Sequence, residues 1–136
     1  MGPTKPSDKL KRLVKVQRHM ERMAESDLAL TAQRREENAA SMDRVMSAIG
    51  SLEPVHRLFA QNYADRFDRL SNADKQLVSL QHGQEVKMMR ERAKGDRLEE
   101  RMKEARVHED RDADDNAIYD LLDMVVATTA SSKLRE

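Results

Sequence analysis

The 136-residue sequence predicts an all-α fold: a long antiparallel two-helix coiled-coil hairpin with a short C-terminal helix or tail. Apolar residues recur at steps of three and four over most of the chain, which is the period of an amphipathic helix rather than a strand. Charged residues make up 37% of it and aromatic residues 3%, too little apolar surface for a globular core but enough for helices that each bury one stripe. The one strong break between residues 8 and 82 is Gly50-Ser51-Leu52-Glu53-Pro54. A connection of about five residues is the length of a tight helix reversal.

Residues 1–6, with Pro3 and Pro6, read as a disordered lead-in. The first long helix is expected over 7–49. Ser7 suits its N-cap, and Asp8 places negative charge in the first turn, where the helix dipole favours it. Its stripe is Leu10, Leu13, Val14, Val16, Met20, Met23, Ala24 and Leu28, which thins over the charged residues 33–38 and returns as Ala39, Met42, Val45, Met46 and Ile49. Over 50–54 the chain turns: Gly50 can take the left-handed closing conformation, Ser51 can cap the next helix, and Pro54 fits its first turn.

The second long helix is expected over 55–109, carrying Val55, Leu58, Phe59, Tyr63, Phe67, Leu70, Leu77 and Leu80. Kinks are expected near residues 71 and 83, because Ser71-Asn72-Ala73-Asp74 resembles a capping box and Gly83 weakens a helix. With the bend near Leu52, position i of the first helix lies opposite roughly position 104 − i, and the paired part is about 60 Å long at the α-helical rise. Residues 110–136 read as an acidic linker followed by a short amphipathic helix or tail, with Ile118, Leu121, Leu122, Val125 and Val126 on it and fraying from Thr128 onward. That tail either packs back on the hairpin, stays loose, or orders on docking to a partner.

Formal net charge is zero but unevenly spread. Residues 5–22 hold seven Lys and Arg against Asp8 and Glu21, a net of +5, whereas residues 109–123 hold seven Asp and Glu against Arg111, a net of −6. An antiparallel hairpin brings these ends together, with modest and salt-sensitive benefit.

Chemistry is sparse. His19, His56, His82 and His108 are too far apart in sequence for two ligands to share one helical face, and the chain has no cysteine, so no metal or other cofactor is expected. There is no Gly-rich phosphate loop, no nucleophile elbow and no carboxylate pair in an apolar pocket, so the chain does not read as an enzyme. The basic segment 9–22 lacks an aromatic platform and the whole chain is neutral, which argues against nucleic acid. No apolar run approaches the roughly 18 residues of a membrane span, and no signal-peptide core is present. A cytoplasmic location follows as the expectation. Phe59, Tyr63 and Phe67, at i, i+4, i+8, lie along one side of the second helix near the bend. They either pack against Met42, Val45 and Ile49 or serve as an anchor for a second protein.

Three stretches resemble one family. Leu10 to Leu28 (LKRLVKVQRHMERMAESDL), Val55 to Ala60 (VHRLFA) and Ala93 to Arg101 (AKGDRLEER) are similar, in order, to the FliJ-type stalk proteins of the bacterial flagellar, type III, export apparatus. The resemblance implies a non-enzymatic antiparallel coiled coil that stands in the pore of the hexameric export ATPase, reaches toward the export gate and engages export chaperones. It places the paired chain ends in the ring, which makes Lys11, Arg12, Lys15 and Arg18, with Arg97 and Arg101, the expected ring contacts. The bend, with Phe59, Tyr63 and Phe67, would face the gate, and the protein would sit peripherally at the export apparatus. The rival is a generic cytosolic coiled-coil scaffold or regulator that recruits a partner through Ile118, Leu121, Leu122 and Val125. Weak self-association is compatible with either.

Overall fold

The computed structural model describes residues 5–135; most of the expected lead-in, residues 1–4, lies outside them. The described residues form three helices and no strand: α1 (Pro6–Ile49), α2 (Pro54–Leu58) and α3 (Ala60–Arg135), with the two long helices packed against each other. They group into two compact units, one of residues 17–95 and one combining the start of the chain up to Val16 with Asp96 onward.

The helix ends differ from the expectation. Pro6 opens α1, and the Lys5 carbonyl accepts the first helical bonds from Asp8 N at 3.1 Å and Lys9 N at 3.3 Å. Proline at the first position loses nothing, because that N–H has no intrahelical acceptor. Ser7 is therefore inside the first turn rather than at the cap. At the other end Gly50 does not adopt a positive φ; its N–H stays on Met46 O at 3.0 Å, and the chain leaves the helix through Ser51 N on Ala48 O at 3.2 Å. Ser51 does not cap the next helix either. Its Oγ accepts from Glu53 N at 3.2 Å, and Glu53 is the cap residue, followed by Pro54 in the first turn.

The second helix is not one element from residue 55 to 109. Phe59, at φ −107° and ψ 15°, interrupts it, leaving α2 as a single short turn of helix. Helix α3 then runs without a break through Ser71, Gly83 and Gly95, and through the acidic run into the segment expected as linker and tail. After Gly95 the sequence contains no glycine or proline, so nothing in the backbone stops the helix. Asp74, the last residue of the supposed capping box, instead faces Arg35 at 3.5 Å. Thr128 and Thr129 do not fray the end; their hydroxyls donate to the carbonyls of Met124 and Val125 one turn back.

In the unit of residues 17–95, one ladder of buried and half-buried positions steps by four and three, with Arg18, Ser41, Ser71, Ala73, Glu85 and Val86 half-buried beside it. The ladder positions on α1 are Gln17, Glu21, Ala24, Leu28, Thr31, Arg35, Asn38, Met42 and Val45, and on α3 Tyr63, Phe67, Leu70, Asp74, Leu77, Gln81, Gln84, Met88, Glu91 and Gly95. That is the heptad spacing of a two-helix seam. The other unit has the same spacing in Ser7, Leu10 and Val14 and in Leu98, Met102, Ala105 and Glu109. Much of the expected stripe lies off this seam: Met46 and Ile49 are 58% and 47% exposed, and Leu13, Val16, Met20 and Met23 are 44 to 59% exposed. The last four sit one residue before seam positions, on the flank. Gln17 meets Glu91 and Asn38 meets Leu70, in each case four positions further along α3 than the expected register, because α2 lengthens the connection.

The seam assignment makes a direct prediction. Val45→Asp places an unpaired carboxylate at a site 5% exposed and is expected to cost about 3 kcal/mol, whereas Met23→Asp on the flank stays within about 0.5 kcal/mol of wild type. Urea unfolding followed by circular dichroism measures both, and equal losses would put the core elsewhere.

Candidate protein-interaction surfaces

Several polar seam residues find partners on the facing helix. Gln17 Nε2 donates to the Glu91 backbone carbonyl at 3.1 Å and also to the Glu91 carboxylate. Glu21, 8% exposed, accepts from Arg18 Nη1 at 2.7 Å and from Arg92 Nε at 3.2 Å, while Arg92 Nη2 reaches Glu25 at 3.3 Å. Further along, Arg35 Nη1 donates to Gln81 Oε1 at 2.9 Å, and Asn38 Nδ2 donates to the Leu70 carbonyl at 2.9 Å. Gln84 Oε1 is buried without a hydrogen-bond partner among the described residues. Gly95 has a steric purpose here: a Cβ on it would stand 2.7 Å from Arg18 Nη1, so the missing side chain is what lets the guanidinium lie across α3.

In the other unit, Glu109 closes the start of α1. Its carboxylate accepts from Ser7 N at 3.0 Å and from the Ser7 hydroxyl. A glutamate on α3 thus satisfies an N–H that α1 has no internal acceptor for, and puts negative charge at the positive end of its dipole.

These contacts shift the carboxylates in one direction. Glu21 is lowered from its ordinary value of 4.5 chiefly by the hydrogen bond from Arg18, Glu91 chiefly by that from Gln17, and Glu109 chiefly by that from the Ser7 hydroxyl, in each case against the cost of desolvation. Arg92 is raised in turn by Glu21 and Glu25.

The residues singled out as contacts fall in different places. Lys11, Arg12 and Lys15 on α1 and Arg97 and Arg101 on α3 are exposed and belong to the same unit. Arg18 belongs to the other unit and is engaged with Glu21 over Gly95. Of the aromatic residues, Phe59 stands half-exposed at the break between α2 and α3. Tyr63 is a seam position whose hydroxyl shares a 3.0 Å hydrogen bond with His56 Nδ1, the rings 5.8 Å apart. Phe67, also a seam position, borders an open groove of about 520 Å³ with Ala39, Met42 and Met46. Ile118, Leu121, Leu122 and Val125 are all 53 to 63% exposed on the last part of α3.

Sequence reasoning missed Gln17, Glu21, Glu91 and Glu109, because it followed apolar residues and these seam positions are polar. The available signal was the gap pattern. Leu10, Val14, Ala24, Leu28, Met42 and Val45 leave vacancies at 17, 21, 31, 35 and 38 on a strict four–three ladder. Among the described residues no helix is long and apolar enough to cross a membrane, and no group of three or more His, Asp or Glu is placed to hold a metal ion. No family model matches the chain, and neither a curated protein nor a solved structure matches it.

The carboxylate shifts set a pH dependence. A group whose folded pKa lies below its unfolded value contributes stability above the unfolded value and loses it as pH falls through the folded one. The melting temperature should therefore hold steady from neutral pH down to about 5 and fall below about 4.5. In the triple variant Glu21→Gln, Glu91→Gln, Glu109→Gln the fall should be shallower and the neutral-pH value lower; an unchanged acid limb would show that these three carboxylates do not couple to folding.

Proposed function

We propose that the protein is a non-enzymatic coiled-coil coupling protein, an antiparallel helical hairpin that joins protein partners rather than transforming a substrate. The observation that carries this is the unbroken four–three seam, which uses the polar residues for internal pairing and leaves apolar and charged residues on other faces. The pairs Gln17–Glu91, Arg35–Asp74 and Asn38–Leu70 ascend on α1 as they descend on α3, which supports the antiparallel sense. Two long helices packed along one seam present most of their residues on outer surfaces, where other proteins can bind.

The resemblance to FliJ-type stalks names the first partner to test. In this reading the exposed Lys11, Arg12, Lys15, Arg97 and Arg101 meet the hexameric ATPase of a flagellar or related export apparatus, and the residues around the bend meet the gate or an export chaperone. Basic side chains on both helices suit a ring lined by carboxylates, with attraction that salt weakens. The scaffold alternative rests on a separate observation, the exposed stripe at Ile118, Leu121, Leu122 and Val125.

The stalk reading is tested by adding the purified chain to the export ATPase of the same cell. Stimulation should saturate near one chain per ring, and the combined variant Lys11→Glu, Arg12→Glu, Lys15→Glu should require at least about ten-fold more protein, a loss of about 1.4 kcal/mol. Turnover unaffected by saturating chain would remove the export role and leave the scaffold.

A further inference from the structure

The last part of α3 extends past everything α1 can cover. Glu109 is paired with Ser7 in the first turn of α1, and from Asp110 to Leu134 every described side chain of α3 is exposed. Its sequence is not that of a solvated helix. Ile118, Leu121, Leu122 and Val125 form an apolar stripe, and isolated helices of such composition depend on packing for their stability.

The phase of that stripe shows which side needs covering. At 100° per residue Ile118 lies about 180° around α3 from Glu109, and Leu121, Leu122 and Val125 lie within about 60° of Ile118. The stripe therefore faces away from the side of α3 that carries α1. It is not a continuation of the seam, and a longer α1 would not bury it.

The same unit holds a matching surface. Lys9, Arg12, Leu13 and Val16 surround a shallow depression on the flank of α1, with Leu13 52% and Val16 59% exposed. The steps of four and three residues that separate Lys9, Leu13 and Val16 are the steps that separate Asp114, Ile118 and Leu121. Set side by side and parallel, the two stripes place Lys9 against Asp114, Leu13 against Ile118 and Val16 against Leu121. Each stripe is thus apolar at two positions and of opposite charge at the third, within segments whose net charges are +5 and −6.

The geometry points to a second copy of this chain as the occupant: the 114–125 stripe of α3 in one copy packs parallel to the 9–16 flank of α1 in the other, and the reverse contact forms at the same time. A two-fold dimer makes each contact twice, which is how two short stripes reach the area a specific interface needs. The assignment does not rest on the stalk reading, since it uses only this chain's own surfaces. Parallel pairing of two α3 stripes with each other would set Asp114 against Asp114, which like-charge repulsion disfavours.

Sedimentation velocity on the full chain tests this. A dimer with a dissociation constant on the order of 10 μM is expected, and Leu121→Asp, at an exposed position, should leave circular dichroism at low concentration unchanged while weakening the dimer at least about ten-fold. Lys9→Asp and Asp114→Lys should each weaken it, and the double variant should recover to within about three-fold of wild type. A chain that stays monomeric at about 100 μM, a dimer indifferent to Leu121→Asp, or a double variant no better than the single ones would each overturn the proposal.

Discussion

The structure depends on a constraint that a two-helix seam imposes on polar residues: a side chain at a seam position must meet its partner on the facing helix or lose its hydration uncompensated. Nine of the seam positions between residues 17 and 95 are Gln, Glu, Thr, Arg, Asn or Asp. Such residues stabilise less than leucine, but they select register. A slide by one heptad would part Gln17 from the Glu91 carboxylate and Glu21 from Arg92 together. Polar seam residues that fix register are the best-attested use of this arrangement in coiled coils.

That choice leaves hydrophobic burial thin. Among the described residues Ala24, Val45 and Met102 are the buried hydrophobic ones, and no large side chain is fully enclosed. Stability then comes from many half-covered contacts spread along two long helices, each contributing little. Closing the helix start therefore matters more than it would in a globular domain, and Glu109 performs it from the facing helix because Ser7, one position inside the helix, cannot act as the cap itself.

The sequence shows two long helices and the interruption at 50–54 because glycine and proline act locally, whatever surrounds them. The phase of the α1 stripe was not legible in the same way. Leu13, Val16, Met20 and Met23 satisfy an apolar three–four pattern as well as the true seam does, and better than a ladder containing Gln17, Glu21, Thr31 and Arg35. The acidic run misled for a related reason. Aspartate is a weak helix former, but weakness summed over a few residues does not end a helix that meets no glycine or proline. Phe59 breaks the second helix without any sequence mark, since neither it nor its neighbours Leu58 and Ala60 are helix breakers. Of the candidate site residues, the exposed cations were readable as exposed, whereas Arg18 was not distinguishable from them until Gly95 was seen beneath it.

The two proposals give the start of α1 competing uses. Arg12 lines the depression proposed for a second copy and belongs to the cationic surface proposed for a ring, and one side chain cannot serve both partners at once. Self-pairing and ring binding are then mutually exclusive states of one surface, and linkage requires each to oppose the other by the same free energy. A coupling protein with an exposed apolar stripe gains from this arrangement. On these proposals the unengaged stripe is covered by another copy rather than left open to unrelated chains, and a partner that binds the cations more strongly would release it. The polar seam is untouched by the exchange, because Gln17, Glu21 and Asn38 face inward in either state.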